Sequence, residues 1–211
     1  MKALLLVGPI LFAMTFCGLQ DKLKSISGGA NSNSNSTTTG PSTTGSGPSA
    51  EKANPTTAQQ KIIDSSTETK WDDQSLSWRL PDGWTKSEVT KEQFIYRSKD
   101  NANLIVSIST LSDDFPIDIS LKAYYDQAMQ QVKNGKYDSA RMVEIDGIRG
   151  VEFVEARPPG KGDVRRHQWI AYRRYLGTVQ QINVMTACDA GSFDNHPDDF
   201  GAIIYSMKAV K

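Results

Sequence analysis

The stretch RRHQWIAYRRYLGTVQQINVMTAC, residues 165–188, decides the fold class of this 211-residue chain. It contains two runs rich in aromatic and β-branched residues, 165–176 and 178–188, which meet at Leu176-Gly177. Runs of this composition on either side of a short glycine-containing turn predict two long antiparallel strands. Alternate positions of the second run predict which face of that strand points into the core. This inward face contains Ile182, Val184, Thr186 and Cys188.

Shorter strands and turns precede this hairpin. Pro81-Asp82-Gly83 is typical of a turn that ends a strand, and Asp146-Gly147 is a strong hairpin signal. A hairpin turn is also expected at residues 99–103. The predicted strands before the long hairpin span residues 76–80, 84–89, 94–98, 104–110, 141–145 and 148–155.

Two helices are predicted among the strands. Ser120 is the expected N-cap of the first, and Gly135 suits its C-terminal cap. Between them, apolar residues recur at helical spacing, namely Leu121, Tyr124, Tyr125, Ala128 and Val132. A closing helix is indicated by Phe200, Ile203, Ile204 and Met207. Because hairpins join most strands and the helices are set apart from them, the pattern predicts an α+β fold, an antiparallel β-sheet with helices packed on it.

The N-terminus has the pattern of an export signal. Lys2 precedes an apolar run at residues 3–13, which is too short to span a bilayer as a helix. The run ends at Met14-Thr15-Phe16-Cys17-Gly18, which resembles the lipobox of bacterial lipoproteins, although Met14 and Phe16 stand where leucine and a small residue are usual. We therefore expect residues 1–17 to be a lipoprotein-type signal peptide ending at a lipidated Cys17. A signal peptide that merely contains a cysteine is the alternative.

A polar tether is expected to follow this signal. Residues 31–49 contain only Asn, Ser, Thr, Gly and Pro, and such a segment buries too little apolar surface to offset the entropy of ordering it. The sequence predicts a disordered linker at 18–70 and one folded domain at 71–211. A chain with this organisation would be exported and anchored to a membrane of the bacterial cell envelope through the lipid on Cys17.

Charge and motif content argue against several classes of function. Lys and Arg together number 24, as do Asp and Glu, so the chain has no overall attraction to nucleic acid. The Gly-x-Ser-x-Gly motif of serine hydrolases is absent, and only His167 and His196 offer a histidine base. His167 lies between charged neighbours on its strand and is expected to face solvent. We therefore predict a chain that is not an enzyme, has no catalytic residue and needs no cofactor.

Three local features have competing interpretations. Cys188 is expected to be a buried structural thiol, since a reactive one would need a basic neighbour. The loop at 189–199 is rich in aspartate, which would suit calcium. The favoured alternative there involves no metal: Asn195 or His196 caps the closing helix, Pro197 lies in its first turn, and Asp198 and Asp199 complement its dipole.

The third feature is a basic stretch near the long hairpin. It is interpreted as a solvated strand face, with anionic lipid headgroups or an acidic protein as alternative partners. The residues concerned are Lys161, Arg165, Arg166, Arg173 and Arg174.

Several short motifs, taken in order, resemble those of the PsbP-like superfamily. This superfamily includes the photosystem subunit PsbP, Ran-binding Mog proteins and bacterial DcrB-type lipoproteins. The similar segments are Arg79-Leu80-Pro81-Asp82-Gly83-Trp84, Ser120-Leu121-Lys122-Ala123-Tyr124-Tyr125, Ile145-Asp146-Gly147-Ile148-Arg149-Gly150-Val151-Glu152, and the closing helix from Phe200 to Ser206-Met207-Lys208. The resemblance covers roughly residues 76–208. It implies an antiparallel sheet covered by helices and a binding or assembly role, and it transfers no catalytic residue.

These observations lead to one functional prediction and one alternative. The prediction is a non-enzymatic envelope lipoprotein that presents a PsbP-like binding module to a protein partner. The alternative is a small-ligand or metal-binding sensor or carrier domain that uses a cleft beside the sheet and the Asp-rich loop.

Overall fold

The computed structural model describes residues 49–209. Its strands are β1 (Glu51–Lys52), β2 (Thr67–Trp71), β3 (Leu76–Leu80), β4 (Thr85–Val89), β5 (Gln93–Arg97), β6 (Asn103–Leu111), β7 (Tyr137–Ile145), β8 (Ile148–Glu155), β9 (Val164–Tyr175), β10 (Thr178–Asp189) and β11 (Lys208–Ala209). Its helices are α1 (Thr57–Ser65), α2 (Ile117–Lys133) and α3 (Asp199–Tyr205), with 3₁₀ turns at Asp72–Gln74 and Phe193–Asn195. Within these residues, no helix combines the length and the apolar content needed to cross a bilayer.

The strands form two sheets. The main sheet has eight strands in the order β1-β7-β8-β9-β10-β6-β5-β4, and the small sheet has three in the order β11-β3-β2. All paired strands are antiparallel except β1, which runs parallel to β7. The predicted α+β class, an antiparallel sheet with helices packed on it, is confirmed.

The two predicted two-residue hairpins are present. β9 and β10 pair along their whole length, from Tyr175 opposite Thr178 to Val164 opposite Asp189. Both residues of the Leu176-Gly177 turn have positive φ, 49° and 86°, and Asp146-Gly147 between β7 and β8 has 47° and 83°. Positive φ at both positions is the signature of a type I′ turn, whose twist matches that of the strands it joins.

The main sheet is covered on both faces. One face packs against the small sheet and α3 in a core that includes Trp71, Trp78, Phe94, Trp169, Ile203 and Ile204. The other face packs against α2 through a core that includes Leu121, Ala128, Val151, Ile170 and Tyr172. Successive residues of the central strand β9 therefore point into different cores, and most of this strand is buried.

Gly150 on β8 shows how closely this packing is fitted. A Cβ atom at this position would lie 2.5 Å from Trp169 Nε1 and 2.7 Å from the carbonyl oxygen of Ile170. Only glycine leaves room for the Trp169 indole, which then donates a hydrogen bond of 3.2 Å to the Val143 carbonyl.

The long helix α2 begins earlier than its sequence predicts. Its N-cap is Pro116, and the amide of Ser120 already donates to the Pro116 carbonyl, so Ser120 lies inside the helix and does not cap it. The C-terminal prediction is confirmed. Gly135 has φ +67°, its amide bonds to the Val132 carbonyl, and the Lys136 amide bonds to the Gln131 carbonyl, which together form a Schellman motif.

The folded domain also begins earlier than predicted. Residues 51–70, assigned to the disordered linker, contain β1, α1 and nearly all of β2. Thr56 and Gln59 form a reciprocal capping box at the start of α1, and β2 pairs with β3. No residue of α1 is buried, which explains why apolar periodicity did not reveal it. The signal peptide, Cys17 and the linker up to residue 48 lie outside the described residues.

Candidate binding surface at the β9–β10 turn

Leu176, in the turn between β9 and β10, is the most exposed large apolar residue of the described chain. Its side chain is 84% exposed and its backbone has φ +49°. A bulky residue in the left-handed region is uncommon, and type I′ turns favour Asn, Asp or Gly there. The equivalent turn position between β7 and β8 is Asp146. Folding therefore gains nothing from leucine at position 176, either through burial or through local conformation.

The last residues of β9 hold a buried arginine beneath this turn. Arg173 is only 9% exposed, and the ring of Tyr175 lies over its guanidinium at 4.1 Å. Arg173 Nε donates to Gln180 Oε1 at 3.0 Å, and its Nη2 donates to the Gln74 carbonyl at 2.7 Å. Burial lowers the pKa of Arg173 from its ordinary value. All its hydrogen-bond acceptors among residues 49–209 are uncharged.

Loops from distant parts of the chain fix this arginine in place. The 3₁₀ turn Asp72–Gln74 is followed by its C-cap Ser75, a left-handed residue with φ +47°. Ser75 Oγ lies 3.0 Å from Tyr175 Oη. Gln74 is buried and donates from Nε2 to the Lys91 carbonyl at 2.5 Å. The side chains of Arg173 and Tyr175 are thus held in place by hydrogen bonds within the chain. We call Ser75, Arg173, Tyr175 and Leu176 the tip surface.

A shallow groove of about 430 Å³ lies at the N-terminal end of α2. Its apolar wall includes Ile119, which is 63% exposed, and its rim includes Arg174, two residues before Leu176. Arg174 donates to the Asp113 carbonyl at 3.1 Å. The groove adds exposed apolar area at this end of β9.

The basic stretch does not form the solvated face that its sequence predicts. Arg165 and Arg173 are buried, because β9 is a central strand with both faces covered. Arg165 donates to Asp138 at 2.6 Å and to Asp194 at 3.0 Å and lies over the ring of Phe193. Arg166 and Arg174, the other two arginines of the stretch, share one face of β9 but lie eight residues apart, roughly 26 Å along the strand, and do not form one patch.

His167 is buried and does not face solvent, contrary to the sequence-based expectation. Its Nε2 lies 2.7 Å from Glu152 Oε1, to which Tyr205 Oη also donates at 2.5 Å. Arg141 Nε donates to Glu152 Oε2 at 2.5 Å, and Arg141 also bonds to Tyr205. Sequence reasoning missed this cluster. Glu152 lies on β8 and Tyr205 at the end of α3, far apart in sequence. They come together only because α3 packs on the sheet.

The electrostatics of this cluster favour a charged, fully paired Glu152. Burial would raise the pKa of Glu152, but the hydrogen bond and charge of His167, with Tyr205 and Arg141, outweigh it and lower the pKa to about 2. Burial and the neighbouring Glu152 raise the pKa of Tyr205. Glu152 accepts bonds at both oxygens, and through Tyr205 the cluster ties α3 to the sheet. His167 has no serine or cysteine hydrogen-bond partner among residues 49–209, so the cluster lacks the arrangement of a catalytic triad.

A cleft of about 580 Å³ lies beside this cluster, with Tyr205 in its wall. The β7–β8 turn, α1 and the small sheet line it, and its charged rim contains both signs, including Lys52, Arg79, Glu68 and Glu144. This cleft corresponds to the one invoked by the small-ligand alternative.

The Asp-rich loop is arranged differently from its prediction. Asp198 is the N-cap of α3 without a side-chain capping bond, so neither Asn195 nor His196 caps the helix, and Pro197 precedes its first turn. Buried His196 has Nδ1 3.2 Å from Asp199 Oδ2 and Nε2 3.1 Å from Asp100 Oδ2, the latter not aligned for a hydrogen bond. In residues 49–209, no three His, Cys, Asp or Glu side chains come together as a metal site would require.

Cys188 is buried on the inward face of β10, as predicted. Burial, with nearby Asp189, raises the pKa of its thiol to about 11. A thiol with so high a pKa is a weak nucleophile at neutral pH, which favours a structural role.

Comparison with known proteins gives structural matches only. Neither a family model nor a curated protein matches the chain. The cyanobacterial PsbP of Synechocystis matches at 15% identity and TM-score 0.44, over 68% of this chain and 92% of that chain. The Saccharomyces cerevisiae Ran-binding protein Mog1p matches at 14% identity and TM-score 0.42, over 69% and 96% respectively.

LpqN, described as involved in cell envelope biogenesis of Mycobacterium tuberculosis, matches at 16% identity and TM-score 0.46, over 73% of this chain and 97% of that chain. The chain covers only 46% of another match, from Bacteroides thetaiotaomicron. At these identities the likeness concerns the fold alone.

Proposed function

We propose that this chain is a non-enzymatic lipoprotein of the bacterial cell envelope, which presents its domain to a protein partner through the tip surface. The observation that carries the proposal is Leu176, which is exposed and held in a left-handed backbone conformation. Residues that break a local folding rule without benefit to the fold are concentrated at functional sites.

The composition of the tip surface supports a protein partner. Arginine, tyrosine and large apolar side chains supply much of the binding energy at protein interfaces, particularly when neighbouring contacts hold them rigid. Arg173 and Tyr175 are fixed by the bonds to Gln74, Gln180 and Ser75, and the turn is supported by two fully paired strands. Little conformational entropy is then lost at this surface when a partner binds.

The envelope location is supported by the N-terminal sequence. Lys2, the apolar run and Cys17 would place a lipid at the start of the mature chain. The polar segment between Cys17 and β1 would have a root-mean-square reach of roughly 30 Å as a flexible coil. Such a tether would hold the tip surface clear of the membrane and let it search for a partner.

Metabolic labelling with a fatty acid tests the anchor. The chain with Cys17 should incorporate labelled acyl groups and fractionate with membranes, and Cys17→Ala should do neither. If the unaltered chain incorporates no label, the lipoprotein part of the proposal is wrong, while the tip surface stays open to its own test.

Site-specific photocrosslinking tests the tip surface. A photoreactive amino acid at position 176 should yield a discrete crosslinked protein in intact cells. Val164 provides a matched control, because it is also exposed but lies at the opposite end of β9, roughly 35 Å away along the strand. Equal crosslinking from both positions, or none from position 176, would contradict the proposed surface.

The 580 Å³ cleft favours the second candidate function, a carrier for a small polar ligand. A saturable rise in melting temperature with one compound, abolished by altering the cleft residue Gln60 and unaffected by Leu176→Asn, would support it. Calcium is tested in the same assay, where a chelator-sensitive rise would favour a metal-binding role.

A further inference from the structure

We propose that Arg173 binds a carboxylate of the protein partner, an aspartate or glutamate side chain next to an apolar residue that packs on Leu176. This inference rests on the proposed function and specifies the chemistry of the partner. It is carried by a buried cation that forms no ion pair within the described chain.

Burial makes the missing ion pair significant. Charged groups that leave water are usually paired with an opposite charge, because uncharged hydrogen-bond partners replace their hydration only in part. The other buried arginine of β9, Arg165, follows this rule and pairs with Asp138 and Asp194. Arg173 has only the oxygens of Gln74 and Gln180 and the ring of Tyr175.

The guanidinium has one nitrogen left for a ligand. Nε and Nη2 make the hydrogen bonds to Gln180 and Gln74, whereas Nη1 has no hydrogen-bond partner among residues 49–209. Nη1 is not fully buried, so it keeps some contact with solvent. Nη1 is therefore the guanidinium nitrogen at which we expect an incoming acceptor to bind, while Nε and Nη2 keep their bonds to Gln180 and Gln74.

Neighbouring charges favour a carboxylate over a phosphate. Asp72 and Asp73 lie in the 3₁₀ turn whose last residue, Gln74, bonds to Arg173, and both are exposed. They would repel a doubly charged phosphate more strongly than a singly charged carboxylate. Leu176 lies three residues after Arg173 and is exposed, so a ligand that reaches both would be an acidic residue near an apolar one.

Selection of a random displayed peptide library on the full chain tests this inference. Enriched peptides should contain Asp or Glu within about three residues of a large apolar residue. A synthetic peptide of the selected sequence should bind at least ten-fold more weakly when its acidic residue is changed to the amide, a change that leaves the protein intact.

Two variants of the protein complete the test. Arg173→Gln should weaken the peptide at least ten-fold and should make the acidic-to-amide change in the peptide nearly neutral. Arg174→Gln, which removes the same charge one residue along the strand, should change affinity less than two-fold. If Arg173→Gln fails to fold, the guanidinium NMR signals of the unaltered chain serve instead, because the acidic peptide should shift the Arg173 signals and its amide form should not.

The possible failures are distinguishable. Peptides that bind at Leu176 but need no acidic residue would overturn the carboxylate inference and leave the proposed binding surface standing. Peptides insensitive to both Arg173→Gln and Leu176→Asn, or no enrichment at all, would contradict both.

Discussion

Glu152 joins three other side chains, and the four residues come from three strands and one helix. It lies on β8 and is bonded to His167 on β9, Arg141 on β7 and Tyr205 at the end of α3. Removing one member of a buried, hydrogen-bonded charge cluster leaves the others unpaired, which is more costly than never having built the cluster. We therefore assign these residues to stability rather than to chemistry.

Glu152→Gln should lower the free energy of unfolding at pH 7 by about 2–4 kcal/mol. The exposed Glu68→Gln serves as the control and should change stability little. Urea unfolding followed by circular dichroism measures both. A loss as small as that of the control would show that the cluster is not coupled to folding.

The effect of Glu152→Gln on the free energy of unfolding should depend on pH. The pKa of Glu152 is lowered from near 4.5 to about 2 in the folded chain, so between these values the unfolded state binds more protons. The stabilisation is fully present above about pH 5 and is lost as pH falls toward 2. The stability gap between the unaltered chain and Glu152→Gln should therefore narrow between pH 6 and pH 3. A constant gap would contradict the lowered pKa.

Substitution of Leu176 by asparagine should raise stability, whereas substitution of Glu152 should lower it. Leu176→Asn should raise the free energy of unfolding by about 0.5–1 kcal/mol, because asparagine tolerates the left-handed conformation. Leu176→Ala lacks the short polar side chain with which asparagine can hydrogen-bond locally in the left-handed region, and it should give no such gain. Equal stability of these two variants would show that the backbone at position 176 is not strained.

At the scale of elements, local signals predict the fold where they are strong. The Leu176-Gly177 and Asp146-Gly147 turns and the Gly135 cap all occur where the sequence places them. Burial of Arg173 and His167 could not be predicted this way. Their neighbours on β9 are charged, and the partners that bury them come from α3 and the 3₁₀ turn, far away in sequence.

The N-terminal elements show the same limit. α1 has no buried residue, yet it is held by the Thr56–Gln59 capping box and lies against α3, where a Cβ on Gly201 would come within 2.5 Å of Gln59 Nε2. A helix stabilised by its capping box and by contacts that bury none of its residues leaves no apolar stripe in the sequence.

A truncation tests whether these elements belong to the domain. A chain beginning at Ser49 should unfold cooperatively and resist proteolysis, whereas one beginning at Trp71 should be markedly less stable, because it lacks β1, α1 and most of β2. Thermal unfolding and limited proteolysis of the two chains provide the comparison. If both are equally stable, residues 51–70 are no part of the cooperative fold.

At the scale of the whole molecule, the buried clusters contribute to stability, and the binding role that we propose rests on the tip surface. The Glu152 cluster, Arg165 and Cys188 are enclosed and have partners or apolar surroundings. The tip surface is different, because it combines an exposed, strained leucine with a buried arginine that forms no ion pair in the described chain.

The most direct test uses the partner that is captured by crosslinking at position 176. Its affinity is measured for the Leu176→Asn variant and for the unaltered chain. Our account predicts that this variant binds at least ten-fold more weakly than the unaltered chain although it is the more stable protein. Altering the exposed Val164 should leave the affinity unchanged. Unchanged affinity in Leu176→Asn, measured by calorimetry with the purified partner, would contradict the assignment of this turn as the binding surface.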